Sequence, residues 1–225
     1  MEKVPHTGLF KTFVGHTGPE LATQEALYGF VMGLIFINSA LVGLISYESP
    51  WNLVTLIVGM NFVWGFIDMY IFYKMDVSAQ KRNIGILKDK ERTTEERRDE
   101  IYDALGNTIF DVLAEEDKIK ATELILNSGV GTTTEIKADR RGMFLSALSC
   151  FLITFLTSVP LVFCLLIISD PTDSLHAALI LACICLFFIG YKLEPSNDVK
   201  YKVRTGASIA LLAAGLTIFA TFLGG

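Results

Sequence analysis

Leu53-Val-Thr-Leu-Ile-Val-Gly-Met-Asn-Phe-Val-Trp-Gly-Phe-Ile-Asp-Met-Tyr-Ile-Phe-Tyr73 decides how the chain is read. The stretch carries a single charge, Asp68. A helix crossing the hydrocarbon core of a bilayer needs about 20 mostly apolar residues, and this stretch supplies them. Directly after Tyr73 the composition reverses. Between Lys74 and Arg141 lie 13 of the 19 Lys+Arg and 15 of the 24 Asp+Glu. Working outward, four further apolar stretches reach spanning length: Ala26–Tyr47 before it, and Met143–Ile168, Leu175–Tyr191 and Gly206–Leu223 after the charged insert. A hydrophobic fraction of 52% over 225 residues agrees with five spans and one small water-facing unit. The expected fold class is an all-α integral membrane protein with five transmembrane helices and a helical insert between helices 2 and 3. Its expected divisions are a leader over 1–25, helices 1 and 2 over 26–73, the insert over 74–141, and helices 3–5 over 142–225.

Orientation follows from the distribution of Lys and Arg among the connections. The leader carries Lys3 and Lys11, and the insert carries 13 basic residues. The fourth connection holds Lys192, Lys200, Lys202 and Arg204. The connections Glu48–Asn52 and Ser169–Ser174 carry none. Leader, insert and fourth connection are therefore expected in the cytoplasm, with the C-terminus on the opposite side. The first apolar run starts late, after a polar leader containing His6, His16, Glu20 and Glu25, which does not suit a cleaved signal peptide. Its segment Leu9–Val14 is expected at the interface. Cys150, Cys164, Cys183 and Cys185 fall in predicted spans without zinc-type spacing, so they read as small buried hydrophobes. The net charge of −5 says nothing about nucleic acid, since acids are interleaved with the basic residues, and no nucleic-acid partner is expected.

Punctuation within the spans is informative. Pro160 lies mid-span, where a kink frees a carbonyl that must find a partner or line a wet cavity. Glycines 29, 33, 43, 59 and 65 would permit close helix approach. In the insert, 76–90 extends the second span. Thr93 or Thr94 then caps a helix with acids in its first turn. Ile101, Leu105, Ile109, Val112 and Leu113 recur at helical spacing, interrupted near Gly106 and Asn107. Ile119, Leu124 and Ile125 continue the pattern after a break near Glu116. Residues 127–134 read as a loop, and a short helix follows into the third span.

No GxSxG, P-loop or HExxH pattern is present, and the three histidines are scattered, so enzymatic activity is not expected. Asp68 is the one ionisable residue read as well inside a span, without an evident second carboxylate at that depth. Such a residue is costly in a bilayer and points to a cation ligand or proton carrier. The plainer alternative is a carboxylate near the helix end that reaches water or pairs with Lys74. Methionines 32, 60, 69 and 75 lie on the first two spans, and thioethers suit soft or borderline transition metals. Most methionines in apolar helices are packing. Met69 next to Asp68, with Met32 and Asn38 opposite, would form a ligand set if the first two helices meet face to face. In the insert, Glu95, Glu96, Asp99, Glu100 and Asp103 share adjacent turns, and Glu115, Glu116, Asp117 and Glu123 form a second group. At such spacing carboxylates can chelate a divalent ion through oxygen, or form a solvated face compensated by Arg97, Arg98, Lys118 and Lys120.

The layout of two spans, a charged helical insert and three spans resembles the vacuolar iron transporter family. Gly29-Phe-Val-Met-Gly33-Leu34 with a later Gly43 is similar to the family's G-x-x-D-G-L opening. Gly65-Phe-Ile-Asp68-Met69 is similar to its G-x-x-S-M segment. Pro160 matches a family proline, and Gly206–Gly225 resembles the glycine-bounded last helix. Met69 matches the pathway methionine. Met32 stands where the family has an aspartate, and Asp68 where it has a serine, as if one carboxylate had moved from the first helix to the second. The resemblance implies a homodimer whose first spans line a pathway. It also implies a carboxylate-rich cytoplasmic domain that captures metal, and exchange of ferrous iron or manganese for protons. On this reading Fe2+ or Mn2+ is the transported substrate and no cofactor is tightly bound. The metal-handling residues would be Asp68, Met69, Met32 and Asn38 in the membrane, with Glu95, Glu96, Asp99, Glu100, Asp103, Glu115, Glu116 and Glu123 in the insert. The expected partners are the lipid bilayer, divalent metal ions, protons and a second copy, and the expected location is a prokaryotic plasma membrane. The alternative is a non-transporting membrane interaction protein whose charged insert binds a cytoplasmic partner.

Overall fold

The structure, a computed structural model, describes residues 18–88, 93–106, 108–127 and 140–223. Every regular element among them is helical. In chain order these are α1 (Pro19–Leu41), α2 (Pro50–Lys88), α3 (Thr94–Leu105), a short 3-10 helix (Ile109–Val112), α4 (Glu115–Asn127), α5 (Arg140–Leu156), α6 (Ser158–Ile167), α7 (Pro171–Leu193) and α8 (Val199–Phe222). Five helical stretches are long and apolar enough to cross a membrane: α1, most of α2, α5 with α6, α7 and α8. The interfacial piece Leu9–Val14, the loop beyond Asn127 and the short helix expected before the third span lie outside the described residues. The chain divides into two compact units, Met1–Tyr73 with Arg141–Gly225, and Lys74–Arg140.

The helix ends follow from local chemistry. A proline opens α1, where a missing N–H costs nothing. The same helix stops at Leu41 and does not run on to Tyr47 as its hydropathy suggests. Gly43 adopts φ +78. Its N–H bonds Ala40 O at 3.1 Å, and the Leu44 N–H bonds Ser39 O at 2.9 Å. This is a Schellman stop. Gly43 is therefore a terminator rather than a contact glycine, and an added Cβ there would meet nothing within 4 Å. Asp170 caps α7, its Oδ1 accepting from the Asp173 N–H at 2.8 Å. Asp198 caps α8 by accepting from the Lys200 N–H at 2.9 Å.

In the first unit, α1 packs on α6, α7 and α8, and α7 packs on α6 and α8. The core is Phe30, Leu34 and Ile37 of α1, Leu53, Val54 and Ile57 of α2, Leu161, Cys164 and Leu165 of α6, Leu175, Ala178, Ala182 and Leu186 of α7, and Ala213 of α8. Pairing of α7 with α8 depends on two glycines, since a Cβ at Gly190 would stand 2.9 Å from Gly206 Cα. The third predicted span is two helices, α5 and α6, separated at Thr157. Pro160 supplies no N–H to the turn before it. The turn instead gathers side-chain donors. The Thr157 hydroxyl donates to Thr154 O at 2.6 Å, and the Ser158 hydroxyl donates to Phe155 O at 2.6 Å.

In the second unit, Thr93 opens α3 with a capping box. Its Oγ1 accepts from the Glu96 N–H at 3.2 Å, and Glu96 Oε2 accepts from the Thr93 N–H at 2.9 Å. Ile86, Ile101 and Leu105 form a small core with Ala121, Ile125 and Leu126. Arg97 Nε donates to Ile86 O at 3.3 Å. Arg98 pairs with Glu123 at 2.7 Å, joining α3 to α4.

Candidate functional site

The helical period places Tyr28, Val31, Met32, Ile35 and Phe36 along one face of α1, and Met60, Trp64 and Asp68 along one face of α2. These residues line a groove of about 430 Å³. Asp68 is the one charged residue among them, on otherwise aromatic, aliphatic and thioether walls. The groove thus unites two of the residues expected from sequence, Asp68 and Met32, and adds Met60 and Tyr28. Met69 is half-buried and is not part of the lining. Asn38 is elsewhere. Its Nδ2 donates to Thr217 Oγ1 at 2.9 Å in a buried bond between α1 and α8. It is a packing contact between helices, not a groove residue.

A second polar group lies where α1, α2 and the α5–α6 break come together. Glu25 is fully buried, although the sequence suggests a water-facing leader up to this residue. It stands on α1, within the stretch able to cross a membrane. Asp68 is therefore not the only carboxylate within the candidate spans, contrary to the expectation. Thr154 Oγ1 donates to Glu25 Oε2 at 2.5 Å. Asn61, also fully buried, sends its amide N–H groups towards Gly29 O at 3.3 Å, Thr154 O at 3.3 Å and Thr157 Oγ1 at 3.2 Å. Gly29 makes this approach possible: a Cβ there would sit 2.8 Å from Thr154 O and would run into the Thr157 hydroxyl. Two acceptors, Glu25 Oε1 and Asn61 Oδ1, are buried without a hydrogen-bond partner. The sequence carries a signal for this. Glu25, Gly29 and Gly33 recur every four residues, placing a carboxylate on the small-residue stripe by which α1 meets its neighbours.

The insert's carboxylates are dispersed. Glu96 serves the capping box. Glu115 accepts from the Tyr102 hydroxyl at 2.7 Å, a bond that pushes the phenol's pKa up. Glu123 pairs with Arg98. Asp111 pairs with Lys118 at 2.9 Å and holds that ammonium above its ordinary pKa, while Asp117 pairs with Lys120 at 3.1 Å. Glu95, Asp99, Asp103 and Glu116 are exposed, and Glu100 is half-buried. Among the described residues, no three His, Cys, Asp or Glu side chains gather into a metal-holding group. Neither expected carboxylate group of the insert is assembled into a chelate. Chemically, the groove offers one hard oxygen ligand and two soft thioethers, a donor set for a borderline transition-metal cation.

No protein-family model matches the chain, and no curated protein matches it.

Proposed function

We propose that this chain is an integral membrane protein that moves a divalent transition-metal ion, iron or manganese, out of the cytoplasm along the α1–α2 groove in exchange for protons. The observation that carries the reading is the lining of that groove: Asp68 with Met32 and Met60 on apolar walls. A carboxylate placed there is expensive unless it binds a cation or a proton. Placement in a bilayer is supported by the face of α2 that carries Trp51, Phe62, Phe66 and Tyr70, all of them exposed. An apolar surface of that extent is a liability in water and ordinary in lipid. The orientation rests on the loop charges, and the homodimer on the resemblance to the vacuolar iron transporters.

The test is uptake of Fe2+ and Mn2+ into proteoliposomes of the full chain with an internal pH dye. Metal entry coupled to proton exit is the expected result. Asp68→Asn should abolish it while leaving the protein folded. Met32→Leu combined with Met60→Leu should reduce iron flux more than manganese flux, because the thioethers favour the softer ion. Unchanged transport in Asp68→Asn would remove the groove from the mechanism.

One observation favours a second reading, a membrane interaction protein that docks a partner on the insert. Val112 and Leu124 are 86% and 75% exposed on the insert. Absence of flux for both metals in correctly oriented vesicles would favour it.

A further inference from the structure

Glu25 presents an accounting problem that the groove does not solve. It is fully buried within a helix able to cross a membrane. Among the described residues no Lys, Arg or His pairs with it. A carboxylate so placed does not persist as an uncompensated anion; it takes up a cation or a proton. The hydrogen bonds indicate which. Oε2 accepts from the Thr154 hydroxyl, so Oε1 is the free oxygen. Asn61 spends its N–H groups on Gly29, Thr154 and Thr157, which leaves its Oδ1 as a second acceptor with no donor. The cluster, joined through Thr154, has surplus acceptors and lacks a donor. One proton on Oε1 removes the charge and turns one orphaned acceptor into a donor.

We propose that Glu25, with Asn61, Thr154 and Thr157 around it, is a buried proton-binding site, separate from the Asp68 groove. The charged side chain on the groove face of the neighbouring helix α2 is Asp68. Its negative charge helps to retain the proton. A cation arriving at Asp68 replaces that negative potential with a positive one and drives the proton off. Glu25 is then the proton carrier of the exchange. This last step rests on the metal-transport reading; the proton site itself does not.

Infrared difference spectroscopy of the full chain in lipid vesicles separates the two. At neutral pH the wild-type protein should show the C=O stretch of a protonated carboxyl. Glu25→Gln should remove that band, Glu25→Asp should shift it, and Asp68→Asn should keep it but lower the pH up to which it persists. Adding Mn2+ should diminish the band in wild type but not in Asp68→Asn. A neutral-pH spectrum with no band sensitive to position 25 overturns the proposal, as does a band that sodium abolishes, which would give the site to a metal cation. A position-25 band indifferent to Mn2+, in protein that moves no metal, supports the proton site while overturning the transport reading.

Discussion

Glu25 and Glu123 are both glutamates on helices that pack against another helix, and their surroundings are opposite. Glu25 is fully buried, bonded to a threonine 129 residues away in sequence, and keeps one oxygen unsatisfied. Glu123 is 39% exposed at its side chain and pairs with Arg98, itself 47% exposed, on the neighbouring helix of a small unit. In the bundle, the buried side chains of Glu25, Asn38 and Asn61 are bonded to distant segments, so removing a partner leaves an atom that water cannot reach. In the insert, polar groups are many, local and wet, so water replaces whatever is removed. Number of charges is therefore a poor guide to where the chemistry lies, and burial is a better one. The contrast predicts how steeply each region responds to substitution.

The largest effect belongs to the bundle. Gly29→Val introduces a Cβ against the Thr154 carbonyl, 2.8 Å away, and against the Thr157 hydroxyl. Neither can withdraw cheaply, because one is backbone and the other is bonded to Thr154 O. Overpacking of this kind costs about 3 kcal/mol. The expected outcome is a clearly lowered thermal midpoint of the full chain in detergent, with the Asn61 hydrogen bonds broken as α1 moves away. A midpoint equal to that of wild type would break the claim that the helices meet at backbone distance.

A smaller effect is expected in the insert, and it should stay there. Thr93→Ala removes half of the capping box that opens α3. Loss of such a cap costs about 1 kcal/mol. Hydrogen exchange should show faster amides over the first turn of α3 and near the Ile86–Ile101–Leu105 core, with the bundle unchanged. Arg98→Ala, which breaks an exposed pair, should change the same amides by about 0.5 kcal/mol or less. If Arg98→Ala proved as costly as Gly29→Val, the insert would not be a solvated unit of local contacts.

The same contrast explains what is legible in the sequence. Runs of about 20 apolar residues announce membrane-length helices by composition alone, and the Thr93–Glu96 box and the Pro160 interruption are local patterns that need no partner to be recognised. Gly43 reads as a contact glycine because hydropathy continues past it; only its φ reveals a helix stop. Met32 and Asp68 are readable as a pair because both lie on the first two spans. Glu25 escapes a sequence reading because position within a hydropathy window says nothing about depth, and the first helix begins well before that window does. Asn61 stands out in the sequence only as a neighbour of Asp68. Its role depends on Gly29, Thr154 and Thr157, partners 32 to 96 residues away that no periodicity encodes.

Glu194 stands between the two regimes and gives the smallest and most discriminating prediction. It is half-exposed, so water still reaches it as it reaches the insert's acids; like Glu25 it is bonded to another helix. It accepts from the Thr205 hydroxyl at 2.7 Å and from the Ser196 N–H at 3.2 Å, tying the end of α7 to α8. Those two donors, the Thr205 hydroxyl foremost, hold its pKa below the ordinary 4.5. A carboxylate depressed in the folded state contributes stability that is present above its unfolded value and disappears as pH falls through the folded one. Thermal midpoints of wild type and Thr205→Val should therefore differ slightly at neutral pH, with wild type higher, and converge once the pH drops below the folded value. Solvent keeps the difference small. Curves that stay parallel into acid would mean that the hydroxyl acts by packing alone, and that bonding across helices matters only where water is excluded.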